Sequence, residues 1–266
     1  MKSVKLLALE QLSFFKNTWR MMCVWIFFGL ALIVFLGYYN FWRPVKNSSW
    51  PRILMYHNTS TEPSSDINIS PKTLEKQIRY LINKNYKFLK VSDLLSFTQP
   101  IKHVALTFDD GFEGNYTYLF EILKKYNVPV TIYLSPNIQT IGALTQLQIQ
   151  EMQASGLVEF GAHTMTHINL TKVDDDTAKR EITESRKAVE KLTGVPCLSF
   201  AYPYGRYNDS HMKLVKDAGF TTAVTTKKQI VAFERSDPYL LPRLSINGCI
   251  NMVQFYLILS RGRYKL

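Results

Sequence analysis

The chain has 266 residues, of which 46% are hydrophobic and 20% charged, and this length suffices for one α/β domain with a sizeable core. Its 32 basic and 21 acidic residues give a formal net charge of +11, which suits contact with anionic membranes, cell-wall polymers or nucleic acid. Because the positive charge is not concentrated in an arm and no nucleic-acid motif accompanies it, a generally basic secreted domain with no nucleic-acid partner is expected.

An apolar run without any charge occupies residues 21–41. At about 1.5 Å per residue, a helix of this length spans the roughly 30 Å of bilayer hydrocarbon. The run is longer than the 7–15 apolar residues of a signal-peptide core and has no small-x-small cleavage site. It is apolar on every face, unlike a core helix of a soluble domain. The run therefore predicts a transmembrane signal anchor, with Tyr38, Tyr39 and Trp42 in an interfacial aromatic belt.

The flanking charges indicate an orientation for this anchor. Four basic residues and one acidic residue precede the span, and three basic residues follow it: Lys2, Lys5, Lys16, Arg20 and Glu10 before, then Arg43, Lys46 and Arg52. The slight bias predicts a cytoplasmic segment 1–20 and an extracytoplasmic remainder. Residues 42–51 contain two prolines and two serines and predict a linker, after which 52–266 form one domain. Cys197 and Cys249 are the candidates for a disulfide, which sequence cannot pair.

Strand-like apolar runs alternate with helical patterns after the linker. Strands are expected at 52–56, 103–108, 128–134, 157–160, 198–202, 221–225 and 240–246, with a loop at 58–68. Helices are expected from Pro71, after Gly114, and at 144–154, 176–192 and 210–218. The first two helices should bury Leu74, Ile78, Leu81 and Ile82, and Tyr118, Leu119, Ile122 and Leu123. About seven such units imply right-handed crossovers and a parallel sheet, which suits an incomplete (β/α) barrel.

Two short motifs carry the chemistry. Thr107-Phe-Asp-Asp-Gly111 ends one predicted strand, and His163-Thr-Met-Thr-His167 follows another. Alone, Asp-Asp-Gly is typical of a turn and His-x-x-x-His of two surface histidines. Both motifs, however, follow strands, and the ends of parallel strands are where α/β folds place their sites. One carboxylate and two imidazoles leave a metal position open for water, while the other carboxylate can act as a base, so metal-assisted hydrolysis is indicated.

Together with Phe200-Ala-Tyr-Pro-Tyr-Gly205, these motifs resemble the polysaccharide deacetylase family, also called the chitooligosaccharide deacetylase homology domain or carbohydrate esterase family 4. The resemblance covers roughly residues 50–250 in motif order and spacing. Ala201 departs from the family's common Arg-x-Pro-Tyr. The Tyr-Pro-Tyr-Gly form, with Leu54-Met-Tyr-His57 and Leu241-Pro-Arg243, is similar to the branch that partly deacetylates poly-N-acetylglucosamine in biofilms. The resemblance implies a distorted (β/α) barrel, circularly permuted in this branch.

Residue-by-residue matching to the family motif implies roles for the site residues. Asp110, His163 and His167 would hold one divalent metal ion, zinc being the expected one. Asp109 would be the base that takes a proton from water. The Tyr204 backbone N–H, together with the metal, would bind the oxyanion that forms when the amide is attacked.

The catalytic acid and a supporting arginine have no match at the family's usual motif positions. The family's usual acid is a histidine in a Leu-x-His motif near the carboxyl end, but no histidine follows His211. His57, at the end of the first predicted strand, would take that role if the strand order is permuted. A structural hydrogen-bonding histidine is the alternative. Arg243 would replace the arginine absent at Ala201 by pairing with Asp109, and His103 and His211 are expected to be ordinary strand-start and surface residues.

These features predict a membrane-anchored, metal-dependent N-deacetylase of an extracellular polysaccharide, poly-N-acetylglucosamine first. One alternative keeps the chemistry but changes the polymer to peptidoglycan, chitin-type oligomers or another N-acetylated glycan. Another is a catalytically inactive carbohydrate-binding module on the same fold. A metal triad with a spare carboxylate argues against the inactive module, which needs neither.

Overall fold

A computed structural model of the protein describes residues 2–38, 44–96, 101–232 and 236–264. The chain divides into two compact units, Met1–Pro44 with Tyr264–Leu266, and Val45–Arg263. The first unit contains helix α1, Lys2–Tyr38.

Helix α1 includes one stretch long and apolar enough to cross a membrane. This stretch covers Thr18–Tyr38, and none of it is buried within the protein. It overlaps the predicted span 21–41, whose last three residues lie outside the described residues. The same holds for Tyr39 and Trp42 of the predicted aromatic belt.

The larger unit is built on a curled parallel sheet, which confirms the predicted barrel-like α/β class. Its strands are β1 Arg52–Tyr56, β4 Lys87–Phe88, β5 His103–Phe108, β6 Val130–Leu134, β7 Val158–Ala162, β8 Ser199–Ala201, β9 Thr222–Val224 and β10 Leu244–Ser245. Their order is β10-β1-β5-β6-β7-β8-β9, with β4 also paired to β5. Every pairing is parallel. Strands β2 Asn58–Thr59 and β3 Asn68–Ile69 form a separate two-stranded pair within the predicted loop.

The segment 241–245 links the two edges of the curl. At its start Leu241 bridges Val224 of β9, and further on Leu244 pairs with Leu54 of β1. The first strand of the domain therefore lies between the last strand and β5. This permuted order brings the residue that follows β1 beside the residues that follow β5.

The segments that connect the strands contain helices, which cover the outer face of the sheet. They are α2 Pro71–Asn83, α3 Phe120–Tyr126, α4 Gln146–Ala154, α5 Asp175–Thr193, α6 Asp209–Asp217 and α7 Met252–Arg261, with a π-helical turn Asn115–Leu119 before α3 and 3₁₀ turns at Ser92–Ser96, Leu170–Lys172 and Pro203–Gly205. Local signals fix their ends. Asp174 caps α5 by accepting a hydrogen bond from the Thr177 amide at 2.7 Å, and Gly194 ends it with φ 75°.

The barrel interior is filled from alternate positions of the strands. Members of one buried cluster include Ile53, Ala105, Tyr133, Ala201 and Val224. Strands β1, β5 and β6 are buried at every residue, because the sheet is covered on its outer face as well. Their sequences are accordingly continuous apolar runs, and the layers of side chains close the interior below the candidate site.

Three predictions about helix faces and surfaces are wrong in detail. The buried stripe of α2 is Leu74, Gln77, Ile78 and Leu81, whereas Ile82 is 37% exposed because it lies at the edge of that stripe in the last turn. Tyr118 is only half-buried, since the π-helical turn adds a residue and shifts the buried face to Leu119 and Phe120. His211 is buried rather than on the surface, as described below.

Candidate active site

The side chains expected at a site meet at the carboxyl ends of the strands. Asp109 and Asp110 directly follow β5, and His163 directly follows β7. Tyr204 comes three residues after β8. Because all strands of the sheet are parallel, these four positions lie at one end of the barrel, as the sequence predicts. Arg243 precedes β10 and reaches Asp109 from within the barrel through its long side chain.

Asp110, His163 and His167 form a cluster with metal-ligand spacing. One ligand atom from each lies within 4.8 Å of the others. Asp110 Oδ1 is 3.6 Å from His163 Nε2 and 3.3 Å from His167 Nε2. Two ligand atoms that are each about 2.0–2.1 Å from a tetrahedral zinc lie roughly 3.3 Å apart. This buried Asp110 oxygen has no hydrogen-bond partner among the described residues, so the donor set fits a divalent metal ion.

The tautomer of His163 follows from its other ring nitrogen. Nδ1 lies 2.7 Å from the Ala201 carbonyl oxygen, which can only accept a hydrogen bond. Nδ1 therefore carries the proton, and Nε2 presents a lone pair toward Asp110 and His167. Such a carbonyl partner is the usual way in which proteins orient a metal-binding imidazole. The Ser135 hydroxyl also donates to the His163 carbonyl at 2.8 Å.

A carboxylate from α5 braces the loop that carries the histidines. Glu181 accepts hydrogen bonds from the backbone amides of Met165 and Thr166 at 2.8 and 3.0 Å, and from the Thr166 hydroxyl at 3.0 Å. This loop contains two left-handed residues, Thr164 at φ 61° and His167 at φ 58°. The anchor from α5 thus holds a backbone path that non-glycine residues rarely adopt.

Further strained backbone surrounds the cluster. Asp110 has φ 75° and Tyr204 has φ 58°, and each such conformation costs of order 1–3 kcal/mol. Gly111 continues the turn at φ 80°, where a Cβ atom would lie 2.6 Å from Leu134 Cδ2. The Asp-Asp-Gly turn therefore requires glycine at its third position. Strain concentrated at one end of a barrel is typical of a functional site.

Asp109 is held by a buried guanidinium rather than by the metal-ligand cluster. Arg243 Nη1 and Nη2 donate to its two carboxylate oxygens at 2.6 and 2.7 Å. Arg243 is fully buried, and it also donates to the Thr225 carbonyl and the Thr107 hydroxyl at 3.0 and 3.1 Å. The fork geometry fixes the orientation of the Asp109 carboxylate. Asp109 Oδ2 lies 4.0 Å from His163 Nε2.

The surroundings of the two adjacent carboxylates shift their pKa values in opposite directions. Burial opposes ionisation of Asp109, but the charge and hydrogen bonds of Arg243 outweigh it and lower the pKa of Asp109 to about 2. Burial and the charge of Asp109 raise the pKa of Asp110 to about 6 in the metal-free site. Burial lowers the pKa of His163 to about 3, so that imidazole is neutral and able to bind a metal.

Removing the guanidinium should destabilise the domain. In Arg243→Met the Asp109 carboxylate loses both charged donors while it stays buried, and breaking a buried ion pair in this way costs about 3–5 kcal/mol. Urea unfolding of this variant should therefore show a midpoint well below that of the wild type. Arg79→Met, at an exposed position of α2, is a control expected to change the free energy of unfolding little. An unchanged midpoint in Arg243→Met would mean that the pair contributes no stability.

His57 lies at the same end of the barrel, immediately after β1. The Asp109 amide donates to the Tyr56 carbonyl at 3.0 Å, and the Asn115 side chain donates to the His57 carbonyl at 3.0 Å. The charge of a protonated His57 lowers the pKa values of both Asp109 and Asp110, which places its ring within electrostatic reach of both carboxylates. Its Nδ1 is buried and has no hydrogen-bond partner among the described residues.

Two open clefts border these residues. One, of about 660 Å³, is lined by His167, Asn169, Lys172, Tyr204 and Arg206, among others. The Tyr204 ring is 59% exposed and packs edge-on against the His167 ring, with 4.7 Å between ring centroids. The other cleft, of about 510 Å³, is lined by residues that follow His57 and Asp110, including Asn58, Phe112 and Glu113. Both volumes suit bound ligands of small-molecule size or larger.

Several residues that support the site have no clear signal in the sequence. Thr107 was predictable in part, because it faces the same side of β5 as Asp109. Glu181 and Ser135 were not, because they lie in connections without any local motif. His211 is 1% exposed, since its Nδ1 accepts a hydrogen bond from the Asn208 amide in the capping box of α6, which corrects the prediction of a surface residue. All three cysteines are free, with Cys197 buried and Cys249 exposed.

Comparison with known proteins agrees with this arrangement. Residues 97–223 match the family described as polysaccharide deacetylase. The chain is 30% identical to the protein YxkH of Bacillus subtilis, named as a polysaccharide deacetylase, over 192 residues that cover 70% of this chain and 68% of the relative. It is 26% identical to poly-beta-1,6-N-acetyl-D-glucosamine N-deacetylase of Staphylococcus aureus over 221 residues, 76% of each chain.

A solved structure gives the same result. The crystal structure of a polysaccharide deacetylase from Bacillus cereus superimposes with a TM-score of 0.71 and 28% identity, covering 79% of this chain and 69% of that one. The fold comparison and the sequence comparison thus identify relatives with the same name. The relatives with this name, the matched family region and the Asp and His motifs at the strand ends together establish that the chain belongs to the polysaccharide deacetylase family.

Proposed function

We propose that the protein is a metal-dependent hydrolase that removes N-acetyl groups from an extracellular glycan, with poly-N-acetylglucosamine as the first candidate substrate. The observation that carries the proposal is the separation of two adjacent carboxylates. Asp110 lies in a cluster with two imidazole nitrogens, whereas Asp109 is held apart by Arg243. A carbohydrate-binding module needs neither arrangement.

Asp110, His163 and His167 would hold the metal ion. A divalent ion held by three protein ligands supplies Lewis acidity, which lowers the pKa of coordinated water to about 7 and polarises an amide carbonyl. A histidine–histidine–carboxylate set of this spacing suits zinc, and other divalent ions are compatible with the same ligands.

Asp109 would act as the general base. Arg243 keeps its carboxylate ionised and fixed, so it can accept the proton of a water molecule that attacks the acetyl carbonyl carbon. Its low pKa makes Asp109 a weak base, so the proton transfer would need water whose pKa is lowered by a metal held by Asp110, His163 and His167. The Tyr204 backbone N–H would donate to the carbonyl oxygen as negative charge develops there.

His57 would complete the hydrolysis. When the carbon–nitrogen bond breaks, acetate and a sugar amine form, and the leaving nitrogen needs a proton. His57 directly follows β1 at this end of the barrel and lies outside the proposed ligand set. Its ring lies within electrostatic reach of both the Asp109 and the Asp110 carboxylates.

His57→Ala should separate this role from metal binding. We expect turnover to fall about 10²–10⁴-fold while metal content and glycan affinity stay close to wild type, because the side chain is a proton donor and not a ligand. Atomic absorption, acetate release and glycan binding measure the three quantities. His103→Ala serves as the control, because His103 begins β5 and lies at the opposite end of that strand from Asp109. An unchanged rate in His57→Ala would require another proton donor.

The choice of poly-N-acetylglucosamine as the first candidate substrate rests on a named relative and on the shape of the clefts. Open clefts beside the site suit a polysaccharide, and the Staphylococcus aureus relative is named for poly-N-acetylglucosamine. Peptidoglycan is the second candidate, because Lys172 and Arg206 give one cleft a positive charge that suits an anionic glycan. Acetate release should be measured on poly-N-acetylglucosamine, peptidoglycan and chitin oligomers. Release from none of them would exclude these three polymers as substrates, and release from peptidoglycan alone would reassign the substrate.

The proposed location is the outer face of the cell membrane. The stretch Thr18–Tyr38 would anchor the chain, with the domain that follows residue 44 on the extracytoplasmic side. Protease added to intact cells should then digest the domain, and the uncleaved chain should fractionate with membranes. A mature protein that begins after residue 38 would show a cleaved signal peptide instead.

A further inference from the structure

A third cavity, of about 240 Å³, opens at the other end of the barrel from the candidate active site. Its walls include residues that precede strands β1 and β5, the last turn of α2, and helix α7. Arg52 begins β1, and Lys102 directly precedes β5. The cavity is therefore distinct from the catalytic machinery at the carboxyl ends of the same strands.

Four basic residues and no acidic residue line this cavity: Lys46, Arg52, Lys84 and Lys102. Within residues 44–96, 101–232 and 236–264, no carboxylate forms an ion pair with any of them. Arg52 is only 2% exposed, and it donates to carbonyl oxygens alone, including those of Leu259 at 3.0 Å and Asn47 at 2.8 Å. Backbone carbonyls solvate this guanidinium but do not neutralise it, so the cavity wall keeps an uncompensated positive charge.

Three tyrosines add neutral donors to the same wall: Tyr80, Tyr86 and Tyr256. Burial raises the pKa values of Tyr80 and Tyr86, so both hydroxyls stay protonated at neutral pH and can donate hydrogen bonds. The Lys84 ammonium lies 5.9 Å from the centroid of the Tyr80 ring, and the Lys102 ammonium lies 5.9 Å from that of Tyr86. Cations and phenol hydroxyls around a small cavity suit a phosphate group better than a sugar.

The sequence position of this cavity favours a lipid as the source of that phosphate. Val45 and Lys46, which line it, begin seven residues after Tyr38, the end of the candidate membrane span. Seven residues of extended chain reach roughly 25 Å at most. Basic residues this close to a span are attracted to anionic phospholipids, and tyrosine rings are typical of the membrane interface.

We propose that this cavity binds the phosphate group of an anionic phospholipid, with Lys46, Lys84 and Lys102 as its charged contacts. Free inorganic phosphate shares the relevant chemistry, so the experiment compares the two sources. The site does not depend on the proposed glycan chemistry, because its readout is binding and not acetate release.

The test uses the full-length protein in a neutral maltoside detergent. Calorimetric titration measures the Kd values for dioctanoyl phosphatidylglycerol, dioctanoyl phosphatidylcholine and inorganic phosphate. Lys84→Gln with Lys102→Gln is the test variant, and Lys179→Gln with Lys191→Gln, two exposed lysines of α5, is the control with the same change in charge. Thermal unfolding without lipid checks that each variant is folded, and bound lipid should raise Tm in wild type.

We expect phosphatidylglycerol to bind wild type at least tenfold more tightly than phosphatidylcholine does, and the test variant to lose about 30-fold of that affinity. The control should change by less than twofold. Tighter binding of phosphatidylglycerol than of inorganic phosphate supports the lipid headgroup. Equal affinity for both would retain the anion site but overturn the lipid as its source. An unchanged Kd in the test variant, or an equal loss in the control, would overturn the site.

Discussion

Asp109→Asn should abolish turnover while the metal stays bound. The amide keeps the shape of the carboxylate but cannot accept a proton from water, and loss of a general base typically costs about 10²–10⁴-fold in rate. Because the proposed ligands are Asp110, His163 and His167, metal content should remain near one ion per chain. Acetate release and atomic absorption on the same preparation measure both quantities.

Two controls sharpen this experiment. Asp217→Asn, at the exposed end of α6, makes the same chemical change outside the site and should leave both quantities unchanged. Urea unfolding checks whether loss of the Arg243 ion pair has unfolded the Asp109 variant, because an unfolded protein would lose activity for the wrong reason. Loss of metal from folded Asp109→Asn would show that the roles of the two carboxylates are reversed.

His167→Ala should remove metal and activity together. The His167 Nε2 lies 3.3 Å from Asp110 Oδ1, and without this imidazole only two of the three proposed ligands remain. Loss of a partner that merely orients a ligand costs about 10–100-fold in metal affinity or activity, so loss of a ligand itself should cost at least the upper end of that range. Metal titration followed by acetate release measures the effect.

His211→Ala is the matched control for this variant. It deletes an imidazole that caps α6 and should lower stability while leaving metal affinity unchanged. Full metal occupancy and full activity in His167→Ala would exclude His167 as a ligand.

The strands of the barrel were largely predictable because they are buried on both faces. β1 and β5 match their predicted bounds, since a continuous apolar run in a parallel sheet has few alternatives. The predicted strand at 240–246 shrinks to Leu244–Ser245 with a bridge at Leu241. Pro242 lacks an amide hydrogen, and Arg243 turns inward to Asp109 instead of continuing a ladder.

The helices show where local pattern is insufficient. The π-helical turn before α3 has no reliable sequence signal, yet it decides that Phe120 and not Tyr118 faces the core. Helix α7 was not predicted, although Asn251 and Gln254 form a capping box that the sequence already contains.

The side chains of the candidate site were predictable from the sequence, but the hydrogen bonds that orient them were not. The sequence predicted the Asp110, His163 and His167 grouping and the proximity of Arg243 to Asp109, and the structure brings these side chains together as expected. Which of them bind and which catalyse stays a prediction. The hydrogen bond from His163 to the Ala201 carbonyl depends on strand register between β7 and β8, which no pattern within either strand specifies.

Metal dependence of acetate release tests the account most directly. The full-length protein is stripped of metal with a chelator, assayed on poly-N-acetylglucosamine, and assayed again after one equivalent of zinc is restored. We predict that the stripped protein loses at least 99% of its rate and that the restored rate rises in proportion to bound zinc up to one ion per chain. A stripped protein that keeps less than a tenth of its metal and yet releases acetate at the full rate would contradict a metal-dependent deacetylase.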